Sequence, residues 1–432
     1  MNIIFLLIVL LAFGFAGLHQ LFWIPVEGQT APIEAVSKAM VESASGAVEL
    51  AIGLVGVMTL FLGLVKIAEA GGMLTILARL IRPLMVRLFP EVPPDHPAMG
   101  AMILNMSANA LGLGNAATPF GIRAMQELDK LNPQPGTATD AMALFLAINT
   151  SSVTLLPTGV IALRAAAGSA DPAAILPTTL LATIGSTAVA IMAAKVYQRF
   201  APVKKAPAAP KPAAIATPND DTSAEIDRDN SATAYPTWVS VLALVMMAGM
   251  IPLAVLYGRL LSAWILPALI VFFLLFGLLR GVCVYEVFVE GAKEGFQVAL
   301  RIIPYLVAIL VAVGMLRASG GLEVVTAVLG SVTGRIGLPA DALPMALLRP
   351  LSGSGAYGVL AATINDPAIG PDSYTGYLVS TLQGSTETTF YVMAVYFGAV
   401  QVRRIRHAMA AALTADAAGV IFAVLACGLF LS

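Results

Sequence analysis

From Leu260 to Leu279 the chain carries no charged side chain, and apolar runs of similar length recur along it. About 20 such residues in helical form cross the hydrocarbon core of a bilayer. Within that core every backbone polar group needs a partner inside the protein, which leaves helices or a closed barrel. Barrel strands take only about 9–11 residues, so runs of this length select helices. Charge agrees: 11% of the 432 residues are charged, against about 25% in soluble domains. A soluble protein of this size could not cover its surface with so few. A soluble enzyme, a disordered chain and a nucleic-acid binder are therefore excluded. The net charge of −1 gives no field for polyanions.

The charges that exist are unevenly placed. Nine of them fall between residues 201 and 236, together with Pro202, Pro207, Pro210, Pro212, Pro218 and Pro236. This composition cannot pack a core and reads as a flexible linker. It divides the chain into membrane halves at 1–200 and 237–432. Spanning or partly spanning helices are expected near 2–19, 46–68, 98–112, 139–165, 173–196, 237–257, 261–280, 297–317, 343–362, 374–400 and 408–431. The fold class is an all-α integral membrane protein with about 10–11 membrane helices. Residues 1–17 resemble a signal h-region but lack a basic flank and a clear cleavage site. They read as a retained first helix.

The halves share an order of features. Each opens with an amphipathic stretch (31–45 and 284–296), followed by a long apolar helix ending at Gly71–Gly72 or Gly320–Gly321. A second amphipathic stretch follows, then a Gly-interrupted segment, then a helix with a dense Ser/Thr cluster. A duplicated unit explains this order. Basic loops place Arg79, Arg82, Arg87, Lys195, Arg199, Arg280, Arg403, Arg404 and Arg406 on the cytoplasmic side. If residues 98–120 form a hairpin returning to its own side, an odd number of crossings separates the repeats. The repeats are then inverted, a plan common among transporters with broken helices. Arg317 and Arg335 would lie outside, against the charge rule.

Four polar clusters interrupt the apolar segments. The first holds Asn105, Ser107, Asn109, Asn115 and Thr118, with Gly112, Gly114 and Pro119 breaking the helix. Asn105 and Asn109 share a helix face. The second holds Asn149, Thr150, Ser151, Ser152, Thr154, Pro157 and Thr158. The third holds Arg349, Pro350, Ser352, Gly353, Ser354 and Gly355. The fourth runs Gln383, Gly384, Ser385, Thr386, Glu387, Thr388 and Thr389. Broken helices expose unpaired backbone groups, which a membrane tolerates only against a cavity or buried protein. A lone charge at the bilayer centre costs about 2.5–3.5 kcal/mol on insertion scales. Arg349 and Glu387 could pair, or Glu387 could be a protonatable coupling group. The candidate substrate-binding set is Asn105, Ser107, Asn109, Asn115, Asn149, Ser151, Ser152, Arg349, Ser352, Ser354, Gln383, Ser385, Thr386 and Glu387. Singly, such Ser and Thr residues also serve as close-packing positions between helices.

Other signals are weak. Gly112-Leu-Gly-Asn-Ala-Ala117 matches a dinucleotide pattern but follows a membrane segment, not a strand. His19, His96 and His407 are far apart. Asp95 and His96 sit in a turn-rich loop and read as a helix cap. Cys283 and Cys427 have apolar flanks and read as buried small hydrophobes. No catalytic constellation, metal-ligand spacing or cofactor motif is present.

Several of these stretches resemble a known family. Phe89-Pro-Glu-Val-Pro-Pro-Asp-His-Pro-Ala-Met-Gly100, Gly112-Leu-Gly-Asn-Ala-Ala-Thr-Pro119 and Asn149-Thr-Ser-Ser152 look like spore maturation protein A. Phe288-Val-Glu-Gly-Ala-Lys-Glu-Gly295, Arg349-Pro-Leu-Ser-Gly-Ser354 and Gln383-Gly-Ser-Thr-Glu-Thr-Thr-Phe-Tyr391 look like spore maturation protein B. The resemblance implies a natural A–B fusion with two nucleoside-recognition, or Gate, domains, a domain found also in concentrative nucleoside transporters and ferrous iron transporter B. It implies that the two halves act together, and that self-association could use the amphipathic stretches. The expected function is a transporter or channel for a small polar solute, nucleoside-like or ionic, in the bacterial inner membrane. The alternative is a non-transporting membrane scaffold. The partners are then the lipid bilayer and a small solute.

Overall fold

Apolar runs become helices, and the polar clusters fall where those helices break. The computed structural model describes residues 2–25, 30–112, 114–201, 267–322 and 333–431, with scattered positions between 235 and 264 and at 324. The expected linker and the expected helix at 237–257 lie almost wholly outside the described residues, as does much of the stretch after Leu322.

The elements are α1 (Asn2–Leu21), α2 (Pro32–Ala70), α3 (Met73–Leu88), α4 (Pro97–Ala110), α5 (Gly114–Lys130), α6 (Asp140–Thr150), α7 (Thr158–Ala166) and α8 (Ile175–Tyr197). Later in the chain come α9 (Pro267–Leu279), α10 (Val284–Ala318), α11 (Leu343–Leu348), α12 (Gly353–Ile364), α13 (Tyr374–Ser385), α14 (Thr389–Ala399) and α15 (Ala408–Leu431). Among the described residues there is no strand, only an isolated bridge between Thr137 and Arg404.

The amphipathic stretches at 31–45 and 284–296 are not separate elements. They continue into the apolar helices as α2 and α10, which end at Gly71 and Ser319. The expected continuous helices at 139–165, 343–362 and 374–400 are each broken in two, at the polar clusters. Among the described residues two helices, Pro172–Tyr197 and Ala408–Leu431, are long and apolar enough to cross a bilayer unaided. The pair Met58–Ala70 and Met73–Leu88 passes the same measure together, bent by 68°. Cys427 is buried but Cys283 is exposed, at the start of α10.

Equivalent elements run in opposite directions. Gly63 of α2 faces Phe288 of α10, and farther along Gly314 of α10 faces Ser43 of α2, so these two helices are antiparallel. Along α8 and α15, Tyr197 meets Thr414 at one end, while Thr178 and Cys427 both meet Thr381 at the other. Alanines of both helices are buried, among them Ala182, Ala190, Ala412, Ala415 and Ala423. Small side chains let membrane helices approach closely. The α6–α7 segment starts beside Arg406 and ends at Arg164; α13–α14 starts beside Arg164 and ends near Gly136, next to Arg403 and Arg404. The two repeats are therefore inverted.

One end of the molecule is basic. Arg406 donates to the carbonyls of Ala138 and Ala201 and pairs with Asp140 at 2.8 Å. Leu88, Glu91, Asp140 and Lys195 line an indentation of about 180 Å³ there. The opposite end holds Arg164 and Arg317, each neutralised by an aspartate: Asp372 at 2.9 Å and Asp366 at 2.6 Å. Arg317 thus conflicts little with the basic-side rule, because its charge is locally cancelled.

Candidate functional site

Each repeat builds a helical hairpin. In the first, α4 and α5 meet at Leu111–Gly112. Gly112 has φ +75°, and a Cβ there would collide with the carbonyl oxygen of Leu156, so the tip needs glycine. In the second, α11 and α12 meet at Arg349–Ser352. Ser352 caps α12 by accepting from the Gly355 N–H at 3.0 Å.

The two breaks lie against these tips in matching ways. Leu155, in the α6–α7 break, donates its N–H to the carbonyl of Ala110 at the first tip, at 2.9 Å. Phe390, just after the α13–α14 break, donates to the carbonyl of Pro350 at the second tip, at 3.1 Å. The breaks also meet each other: the Glu387 N–H donates to the Thr150 carbonyl at 2.8 Å. Thr187 of α8 donates its hydroxyl to the Ser151 carbonyl. The backbone groups released by helix breaking are thus paired within the protein, as a low-dielectric setting requires.

Around this crossing lie two polar groups. In the first, Asn149 Oδ1 accepts from Asn109 Nδ2 at 3.0 Å and from the Tyr396 hydroxyl at 3.3 Å. Asn105 Nδ2 donates to the Ala117 carbonyl at 2.8 Å and to the Tyr396 hydroxyl at 3.0 Å. Tyr396 belongs to the other repeat. Its ring stacks on Phe145 with centroids 6.0 Å apart. In the second group, Arg349 donates through Nε to the Gln383 carbonyl and through Nη1 to Thr388 Oγ1, both at 3.1 Å. Its Nη2 lies 3.6 Å from Glu387 Oε2. The Arg349 side chain is 8% exposed and that of Glu387 43%.

The remaining sequence-selected residues sit as follows. Ser107, Ser151 and Ser385 turn their hydroxyls back onto the carbonyls of Ile103, Ala147 and Leu382 in their own helices. Ser354 lies 3.5 Å from the Ser352 hydroxyl. Ser152 is buried, as is Thr386, which packs against Gly419 of α15. The side chain of Asn115 lies outside the described residues. His96 caps α4, its Nδ1 accepting from the Ala98 N–H at 3.2 Å, and Asp95 pairs with Arg82. Among the described residues no group of three or more His, Cys, Asp or Glu could hold a metal.

Several buried polar atoms of this region have no hydrogen-bond partner among the described residues: Asn105 Oδ1, Gln383 Oε1 and, on α15, Asp416 Oδ1. Buried polar groups are ordinarily satisfied, so each orphan calls for an explanation. Tyr396, Asp416 and Arg164 were not among the sequence-selected candidates. Asp416 is the only charged residue of α15 and could have been found by scanning apolar helices for single charges. Arg164 is wholly buried, lies over the Tyr377 ring at 4.2 Å, and bonds the Pro371 carbonyl and Asp372.

An all-helical, multi-span membrane fold with paired hairpins, crossed broken helices and inverted repeats defines the class of protein. The nucleoside-recognition family, Gate, matches residues 51–167 and 299–403, and the chain belongs to that family. It is 47% identical over 152 residues to spore maturation protein A of Bacillus subtilis (strain 168), covering 35% of this chain and 78% of that protein. It is 44% identical over 165 residues to spore maturation protein B of the same organism, covering 38% of this chain and 92% of that protein. These two matches are consistent with a fusion. Among solved structures it is similar to CNTnw in an inward-facing substrate-bound state, at 14% identity and a TM-score of 0.45, covering 99% of this chain and 91% of that one. An outward-facing CNTnw variant matches at 13% identity and a TM-score of 0.43, covering 100% of this chain and 97% of that one.

Proposed function

We propose that this protein moves a small polar solute across the bacterial inner membrane, binding it where the two breaks cross. The observation that carries this reading is the pair of orphaned carboxamide oxygens, Asn105 Oδ1 and Gln383 Oε1, one in each inverted repeat. A solute bearing hydrogen-bond donors would satisfy both. Arg349 and Glu387 add a cation and an anion beside them, and Asn109 and Asn149 extend the polar wall. This chemistry suits a nucleoside-like solute or a small ion.

In this reading residues 1–200 form an A-like half and 237–432 a B-like half, each with a Gate domain, joined by the linker at 201–236. The basic end faces the cytoplasm. The protein is not an enzyme, and any self-association uses the amphipathic stretches. A scaffold role has one observation in its favour: Ser107, Ser151 and Ser385 bond their own helices and act as packing positions.

The test is flux into proteoliposomes, with nucleosides, small anions and metal ions first screened by thermal shift. Transport of one class, abolished by Glu387→Gln combined with Asn105→Ala, supports the site. Flux that survives both changes removes the site assignment. Absence of any solute response, with a stable protein partner captured on the intact chain, favours the scaffold.

A further inference from the structure

Asp416 stands in the middle of a packed apolar helix. It is 6% exposed, with Ala412, Ala415 and Ala423 of its own helix buried around it. The Thr389 hydroxyl donates to Oδ2 at 2.7 Å. Oδ1 is fully buried and has no hydrogen-bond partner among the described residues. A carboxylate with one satisfied oxygen in a dry interior is costly, and the cheap resolution is neutralisation. A metal cation would need several oxygen ligands, and among the described residues Asp416 belongs to no group of three or more His, Cys, Asp or Glu that could hold one. A proton needs only the one oxygen.

We propose that Asp416 is a proton-binding site, its carboxyl carrying a dissociable proton on Oδ1. Release gives a carboxylate and one proton; uptake reverses this.

The surroundings tie this proton to the crossing. From the α13–α14 side come Thr389, which bonds Asp416, and Thr388, which accepts from Arg349. These are consecutive residues. Arg349 is the cation whose field reaches Asp416, and Glu387 is its partner. From α8, Ser186 donates to the Ala415 carbonyl at 2.8 Å, and Tyr197 meets Thr414. Residues 175–194 of α8 and 141–150 of α6 carry no charged side chain. On α13 the ionisable side chains are Tyr374 and Tyr377, toward the end near Arg164. A carboxylate at Asp416 therefore has one cation to attract, Arg349, and drawing it away loosens its hold on Glu387 and the Gln383 carbonyl. Only this consequence, that the proton is coupled to solute, rests on the transport reading.

The test is infrared difference spectroscopy of the full chain in lipid, titrated from acid to alkaline pH. Wild type is expected to show a buried carboxylic-acid C=O band that vanishes on titration. Asp416→Asn, which mimics the protonated side chain in shape and charge, loses the band; Glu387→Gln keeps it. A second readout is thermal stability: the wild type and Asp416→Asn proteins are expected to differ in how melting changes with pH. A band that persists in Asp416→Asn, or a wild type with neither band nor pH-dependent difference from the variant, overturns the assignment. A wild-type band abolished by Na⁺ at constant pH overturns it in favour of a metal cation. A band lost in Asp416→Asn without any solute flux keeps the proton site and removes transport. Flux without the band does the reverse.

Discussion

The backbone N–H of Glu387 donates to the carbonyl of Thr150 at 2.8 Å, so the break in one repeat is closed by the break in the other. Neither break can be satisfied by its own helix. The two inverted repeats therefore share one set of hydrogen bonds at their crossing, and rearranging one exposes polar backbone in the other. Such exposure is costly where water is absent.

Arg349→Ala is expected to damage the second tip more than Glu387→Gln does. The alanine variant leaves the Gln383 carbonyl and the Thr388 hydroxyl without their donor. A buried acceptor left unsatisfied costs about 1–3 kcal/mol. Glu387 is half exposed, and its loss leaves Arg349 those two bonds, so Glu387→Gln should cost under about 1 kcal/mol. Arg349→Lys should fall between, because an ammonium cannot reproduce the planar fork. Melting in lipid nanodiscs measures the order; equal losses from the alanine and glutamine variants would count against it.

Tyr396→Phe keeps the ring on Phe145 but removes the hydroxyl that links Asn105 to Asn149. The expected loss is about 0.5–1.5 kcal/mol of stability. Tyr396→Ala also deletes a buried ring and should cost about 3–5 kcal/mol. If Phe behaves like Ala, the ring rather than the hydroxyl holds the asparagines together.

The polar clusters and the repeat order were legible in the sequence because each departs sharply from an apolar background. The breaks were less so. Residues 139–165 and 374–400 are apolar enough to read as continuous helices, and only tertiary partners such as the Ala110 carbonyl let the backbone leave the helix at Ser151 and Thr386. Tyr396 was missed because it serves the repeat it does not belong to. Asp416 was hidden by averaging, since one carboxylate barely changes the hydropathy of a 24-residue helix. Arg164 was missed because nothing local announced Asp372, 208 residues away.

Arg164 joins the repeats at the end opposite the basic one, and Arg164→Met is expected to open that end. The side chain is wholly buried and bonds the Pro371 carbonyl, Ser169 and Asp372. Arg164→Met leaves the Pro371 carbonyl and the Ser169 hydroxyl without their donor, at about 1–3 kcal/mol for a buried acceptor left unsatisfied, while the Asp372 left behind is 38% exposed and can be hydrated. Asp372→Asn leaves the wholly buried Arg164 cation without its counterion and should cost about 3–5 kcal/mol. Accessibility of a cysteine at Ser380, buried beside Arg164 at 3.4 Å, to a water-soluble thiol reagent should rise in both variants. Unchanged labelling would mean that other contacts hold this end shut.

His407 gives the basic end a pH dependence whose sign is fixed. It is buried ahead of α15, and neither ring nitrogen has a hydrogen-bond partner among the described residues. Burial first, then the nearby Arg406 charge, lowers its pKa below 6.5, with Asp140 opposing. The unfolded chain therefore takes up this proton more readily than the folded one. The stability linked to His407 is complete above pH 6.5 and is lost as pH falls from there toward the folded-state value. His407→Gln should remove that loss, so the melting temperatures of variant and wild type should converge or cross on acidification. The comparison is best made in an Asp416→Asn background, which removes a buried carboxyl that would add its own pH dependence. Parallel melting curves across this range would show that His407 is hydrated or paired in the membrane.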